Sequence, residues 1–145
     1  MSPLERELAL REVERQMARF FTALDERDFP AMAAVMTEDG SWRRAGVDIP
    51  GRKGLLEVMA GRDPDRHSRH SLTNMIAEIT GDGRARLRFY STAWVHAGAT
   101  EEDWAPMALP SSIGVYTAEY VLRDGAWLME RLTSKPAFKR ARAAA

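Results

Sequence analysis

HSLTNMIAEITGDGRARLRFYSTAWVH, residues 70–96, is the stretch on which the fold turns. Within it Ala85, Leu87 and Phe89 alternate with Arg84, Arg86 and Arg88. A period of two is the mark of a strand with one apolar face. Gly81-Asp82-Gly83 sits just before that run and reads as a tight hairpin turn. His70 to Thr80 is therefore the partner strand, and the second strand extends to about His96. Downstream, residues 97–110 read as a long loop and Ser112 to Arg123 as a third strand. Asp124-Gly125 makes another hairpin turn, and Ala126 to Ser134 the last strand.

Upstream of His70 the period is that of helices. Ser2 can cap, Pro3 suits a first turn, and Glu5 completes a capping box. Leu4, Leu8, Val13, Met17, Phe20, Phe21 and Leu24 form one apolar stripe, predicting a helix to about residue 26. Asp28 caps a short second helix with Pro30 in its first turn and Ala31 to Met36 as its body. Gly40 to Arg44 reads as a short strand and Ile49-Pro50-Gly51-Arg52 as a turn. Leu55 to Met59 belong to a third helix, closed by Gly61 and Pro64. Three helices followed by an antiparallel meander give an α+β layout. A single domain is expected over residues 1–136, with a flexible basic tail at 137–145.

The totals exclude several function classes. The 145 residues suit one core, and 21 basic residues balance 21 acidic ones. No global attraction to nucleic acid or anionic membrane is expected from that balance. Cysteine is absent, which removes thiol nucleophiles and thiolate metal sites. No apolar run approaches the roughly 18 residues of a membrane span. The N-terminus lacks the order of a signal peptide, so a cytoplasmic location is expected. There is no phosphate loop, nucleophile elbow or dinucleotide fingerprint. His67, His70 and His96 are the three histidines. In an extended strand His67 and His70 leave on opposite faces, so no metal site is expected, and no cofactor.

Certain pieces recur in a recognisable order: Leu24-Asp25-Glu26-Arg27-Asp28-Phe29, Gly40-Ser41-Trp42, Gly51-Arg52, Arg69-His70 with Thr73-Asn74, and Arg123-Asp124-Gly125-Ala126-Trp127. Together they resemble the SnoaL-like branch of the nuclear transport factor 2-like superfamily. That resemblance implies a cone-shaped α+β barrel, three N-terminal helices packed in a curved antiparallel sheet around a deep apolar pocket. Two lyases of the superfamily, scytalone dehydratase and hexachlorocyclohexane dehydrochlorinase, work without a cofactor through an aspartate and a histidine. Asp25 and His70 match those positions, and His96 falls within one residue of a second active-site histidine of the dehydratase. His96 also shares the parity of Arg84, Arg86 and Arg88, opposite Leu87 and Phe89. Where the dehydratase has a tyrosine before its aspartate, this chain has Leu24. The resemblance further implies a homodimer or homotrimer, through the outer sheet face carrying Arg86, Arg88, Tyr90 and Trp94.

A carboxylate beside an imidazole is the minimum equipment for moving a proton at neutral pH. The expected activity is a dehydratase-like lyase or isomerase acting on a small hydrophobic or cyclic molecule. A SnoaL-like cyclase, an epoxide hydrolase, and a non-catalytic ligand-binding or dioxygenase β-subunit-like scaffold are the alternatives. Substrate contacts are expected from Trp42, Asn74 and Tyr116. Tyr116 has the small Gly114 and Ala118 on its own face, and Asn74 shares the parity of His70. Arg131, with the parity of Trp127 and Met129, can bind an anion or make a salt bridge. Trp104, Met107 and Leu109 in the long loop suggest a lid over the pocket or a subunit contact.

Overall fold

The first helix begins with a reciprocal cap. The Ser2 hydroxyl accepts from the Glu5 N–H at 3.3 Å, and the Glu5 carboxylate accepts from the Ser2 N–H at 2.6 Å. The computed structural model describes residues 1–141. Helix α1 spans Pro3–Asp25 and buries Val13, Met17, Phe20, Phe21 and Leu24. Its end is a Schellman turn. The Arg27 N–H donates to the Leu24 carbonyl at 3.2 Å and the Asp28 N–H to the Ala23 carbonyl at 2.9 Å. That turn needs a left-handed residue, usually glycine, yet Arg27 occupies it with φ 62°. The arginine side chain gives the reason. Its guanidinium donates to the carbonyls of Asp63 at 3.1 Å, Arg62 at 3.3 Å and Arg66 at 3.4 Å. Three long-range bonds outweigh a backbone penalty of about 1–2 kcal/mol.

Helix α2, Phe29–Ala34, is capped by Asp28, whose carboxylate accepts from the Ala31 N–H at 3.1 Å. It stops short of the expected Met36. That residue opens strand β1, Met36–Arg44, and stands opposite Met129 of the last strand. Sheet pairing has overridden the local helical pattern. Residues 49–52 are not a free turn either. Strand β2, Val47–Pro50, pairs antiparallel with β1, and helix α3, Gly51–Ala60, follows at once. Gly51 makes that junction possible, because its φ is +63° and a Cβ there would lie 2.6 Å from the Glu38 carbonyl oxygen.

Strands β3 (Arg66–Gly81), β4 (Arg84–Ala97), β5 (Ser112–Arg123) and β6 (Ala126–Lys139) form the meander. The sheet is curved and unclosed, in the order β2-β1-β6-β5-β4-β3. Every junction is antiparallel except β1–β6, which is parallel. Helix α1 packs against β3, β4 and β6. Phe21 meets Phe89 edge-on at 6.1 Å, and Leu87, Ala118, Tyr120, Met129 and Leu132 complete the core. Each such large apolar side chain contributes about 1.5–3 kcal/mol on burial.

Three departures of the long strands from simple alternation and expected length bear on the site. In β3 a bulge lies between Thr73 and Ile76, with Asn74 left-handed at φ 54°. In β6 a bulge at Glu130 turns Arg131 outward to solvent. Strand β6 also runs five residues beyond Ser134, with Phe138 opposite Ile113 and Lys139 opposite Ser112. Arg140 then donates to the carbonyls of Leu109 and Pro110. The expected tail at 137–145 therefore begins inside the sheet, and its last four positions lie outside the described residues. Among the described residues no helix is long and apolar enough to cross a membrane.

Candidate active site

Asp25 is the last residue of α1, and the Arg27 clasp fixes where that helix ends relative to the start of β3. One carboxylate oxygen of Asp25 accepts from the Ser68 hydroxyl at 2.7 Å and lies 2.7 Å from His70 Nδ1. The other accepts from the His70 backbone N–H at 2.8 Å. Neither side chain is far from full burial: 7% of Asp25 and 12% of His70 is exposed. The imidazole packs on Phe21 with ring centres 4.8 Å apart.

Burial pushes the Asp25 carboxyl up. The His70 ring, by hydrogen bond and by charge, together with the Ser68 hydroxyl and the His70 N–H, pulls it further down, so the net is below the ordinary carboxylate value. An ionised carboxylate is an acceptor only. It therefore holds a proton of His70 on Nδ1, so that in the neutral ring the lone pair is on Nε2. No hydrogen bond within the described residues engages Nε2.

His70 lines a cavity of about 160 Å³. Phe21, Trp42 and Tyr116 form its aromatic wall. Trp42 is buried and meets Phe20 edge-on at 5.4 Å. Tyr116 stacks on Phe89 at 5.1 Å and stands edge-on to Phe21 at 5.7 Å. Burial raises its phenol, partly offset by a hydrogen bond with Ser134 and the charge of Arg44. The space beside Gly114 is filled by Tyr116 itself, since a Cβ at Gly114 would lie 2.8 Å from its ring.

Two expected site residues are elsewhere. Asn74 is exposed, because the β3 bulge breaks the parity it shares on paper with His70. Inward positions run Ser68, His70, Leu72 before the bulge and Met75, Ala77, Ile79 after it. His96 lies opposite His67 in register, on the outer face of the β3–β4 pair. Those two rings are 6.1 Å apart and line a separate concavity of about 460 Å³. The long loop borders that outer concavity through Asp103 to Leu109. Ser111, just after it, reaches the cavity of His70, but none of residues 97–110 does, so the loop does not cover that cavity as a lid.

The wall is also more polar than an apolar pocket. Arg44, Arg62, Arg66, Ser68, Ser111, Ser112 and Ser134 all line it. Ser68 was within reach of sequence reasoning, since it sits two residues before His70 on the same face. The arginines were not, because they converge from separate connections. Among the described residues no three His, Asp or Glu side chains gather as a metal site would require.

A family model described as a SnoaL-like domain matches residues 5–133. No curated protein sequence matches the chain. Several solved structures do share its fold. The hexachlorocyclohexane dehydrochlorinase LinA-type3 from Novosphingobium barchaimii LL02 superposes with a TM-score of 0.76 at 19% identity, over 94% of this chain and 92% of that one. ActVI-ORFA from Streptomyces coelicolor gives 0.72 at 22% identity, over 88% and 96%. A proposed scytalone dehydratase from Novosphingobium aromaticivorans DSM 12444 gives 0.70 at 19% identity, over 94% and 91%. Identities this low carry the fold and not the chemistry.

Proposed function

This chain belongs to the SnoaL-like domain family, and from that premise we propose that it is a lyase or isomerase in which His70 Nε2 takes a proton from carbon. The observation that carries this reading is the 2.7 Å contact between Asp25 and His70 Nδ1 at the wall of a ring-sized cavity. A cavity of roughly 150 Å³ is known to hold benzene, so a small cyclic substrate fits.

The proposed step uses only the pair. His70 Nε2 removes a proton next to a carbonyl group. In an elimination the C–H electrons become the new double bond as the neighbouring C–O bond breaks. The imidazolium then returns the proton to the departing oxygen, which leaves as water. Asp25 stabilises the imidazolium in between, and Ser68 and the His70 N–H keep the carboxylate in place. A dehydrochlorinase and a proposed dehydratase among the proteins of similar fold support elimination as the reaction class.

The test is a panel of cyclic ketones and β-hydroxy ketones in deuterated water. Exchange of α-protons, followed by NMR, reads the base even when no leaving group is present. Wild type exchanging at least one compound, with loss in His70→Ala, is the expected result. Equal exchange by both proteins would replace this reading with a ligand-binding one.

A further inference from the structure

Several arginines elsewhere on this chain pair with carboxylates. Arg84 pairs with Glu130 at 2.8 Å, Arg19 with Glu12 at 2.9 Å and Arg43 with Asp48 at 3.0 Å. Arg44, Arg62 and Arg66 do not, although all three are partly buried against the cavity. Among the described residues none of them makes a salt bridge. The Nε of Arg62 and the Nε of Arg66 are buried with no acceptor. Arg62 spends one nitrogen on the Ser68 hydroxyl at 2.9 Å, and Arg44 lies over the Trp42 ring at 5.3 Å.

The three guanidiniums also oppose one another. Burial, then the charges of Arg66, Arg44 and Arg27, pushes Arg62 down to about 10, with Asp25 acting in the other direction. Burial and then Arg66 likewise lower Arg44. Arg62 and Arg44 stay cationic at neutral pH. Among the described residues Asp25 is the carboxylate whose charge acts on Arg62, and His70 and Ser68 already occupy it. The chain as a whole is neutral, so this concentration is local and not a by-product of basic composition.

We propose that Arg44, Arg62 and Arg66 form a carboxylate subsite, and that the ligand is a small cyclic or aromatic acid. Its ring lies against Trp42 and Tyr116, and its carboxylate meets the guanidinium groups that line the polar side of the cavity. A carboxylate matches the planar fork of a guanidinium and neutralises the mutual repulsion. A cavity of about 160 Å³ accepts one ring. The assignment rests on the proton-transfer reading only in calling that acid a substrate.

Benzoate and its neutral analogue benzamide are the probes, titrated calorimetrically against wild type, Arg66→Met, Arg44→Met and His96→Ala at low salt. Benzoate is expected to bind wild type at least about tenfold more tightly than benzamide. Arg66→Met and Arg44→Met should each weaken benzoate by about tenfold or more and leave benzamide unchanged, with melting curves confirming the fold. Two variants guard against one failing to fold. Benzoate and benzamide binding alike, no benzoate binding, or undiminished benzoate affinity in both variants overturns the subsite. Inorganic phosphate displacing benzoate at equal concentration overturns the carboxylic acid in favour of a free-anion site. His96→Ala, on the outer face, should keep its benzoate affinity, and a loss there overturns the subsite. The subsite and the base fail separately: benzoate binding lost with arginine concerns the first, proton exchange lost in His70→Ala the second.

Discussion

The two faces of the β3–β4 pair each carry histidine, and they treat it differently. On the inner face a single imidazole meets a carboxylate that three donors hold in place, and its exposure falls to 12%. On the outer face His67 and His96 stand 6.1 Å apart with no carboxylate against either ring among the described residues. The residue type is the same, and so is the pair of strands. What differs is whether the ring's orientation and tautomer are fixed from behind. A general base needs that support, so only the inner histidine is equipped for the role.

The largest expected effect breaks the comparison directly. His70→Ala should abolish α-proton exchange, and Asp25→Asn should lower it by about 10⁴, the loss known for the equivalent change in a serine-protease triad. His96→Ala and His67→Ala should leave the rate within about twofold. Equal losses on the two faces, measured in the same NMR exchange assay, would erase the distinction.

Stability gives the next contrast. Asp25→Ala strands the Ser68 hydroxyl and the His70 N–H, and should cost about 2–4 kcal/mol in denaturant melts. His96→Ala should stay within about 0.5 kcal/mol. The same carboxylate sets an acid limb. Its folded value lies below the ordinary one, so its stabilisation is present above the ordinary carboxylate range near 3.9 and is lost as pH falls through the lowered value. Denaturation midpoints between about pH 2 and 5 should fall steeply for wild type and less so for Asp25→Asn.

Smaller effects concern how the inner face is arranged. Asn74→Val places a β-branched residue at φ 54°, and should cost about 1–2 kcal/mol while Asn74→Gly costs little. A neutral Asn74→Val would mean the bulge is not fixing which β3 residues point inward. Tyr120 is the mildest case. Its hydroxyl is buried without a partner, and burial drives the phenol upward. Tyr120→Phe should be neutral to stabilising by up to about 1 kcal/mol, in contrast to every polar group that Asp25 holds.

Local chemistry made much of this molecule legible. The Ser2–Glu5 cap, the Asp124-Gly125 turn and the alternation of Leu87 and Phe89 each state their structure within a few residues. Asp25 and His70 were found because a family resemblance supplied the 45-residue gap that spacing cannot bridge. Parity failed wherever a bulge intervened, which is why Asn74 and Arg131 were placed on the wrong face. His96 failed for the converse reason: the strand is regular there, so its parity with the outer arginines held and the one-residue offset was real. Met36 departs from its helical pattern because it pairs with the distant strand β6, and Ile49 is a strand residue because it folds back on Trp42 of the adjacent β1. The arginine cluster was beyond local reading. Arg44 ends a strand, Arg62 follows a helix and Arg66 opens another strand, and only the folded chain brings them to one cavity.

The central claim is that Asp25 holds the proton of His70 on Nδ1 and frees Nε2 to act. Two-bond proton–nitrogen NMR correlations of the imidazole at about pH 8, where an ordinary histidine is neutral, read this without any substrate. The expected spectrum for wild type shows His70 protonated at Nδ1 and bare at Nε2, with that preference lost in Asp25→Asn. A wild-type His70 protonated at Nε2, or an Asp25→Asn spectrum identical to wild type, would contradict the account.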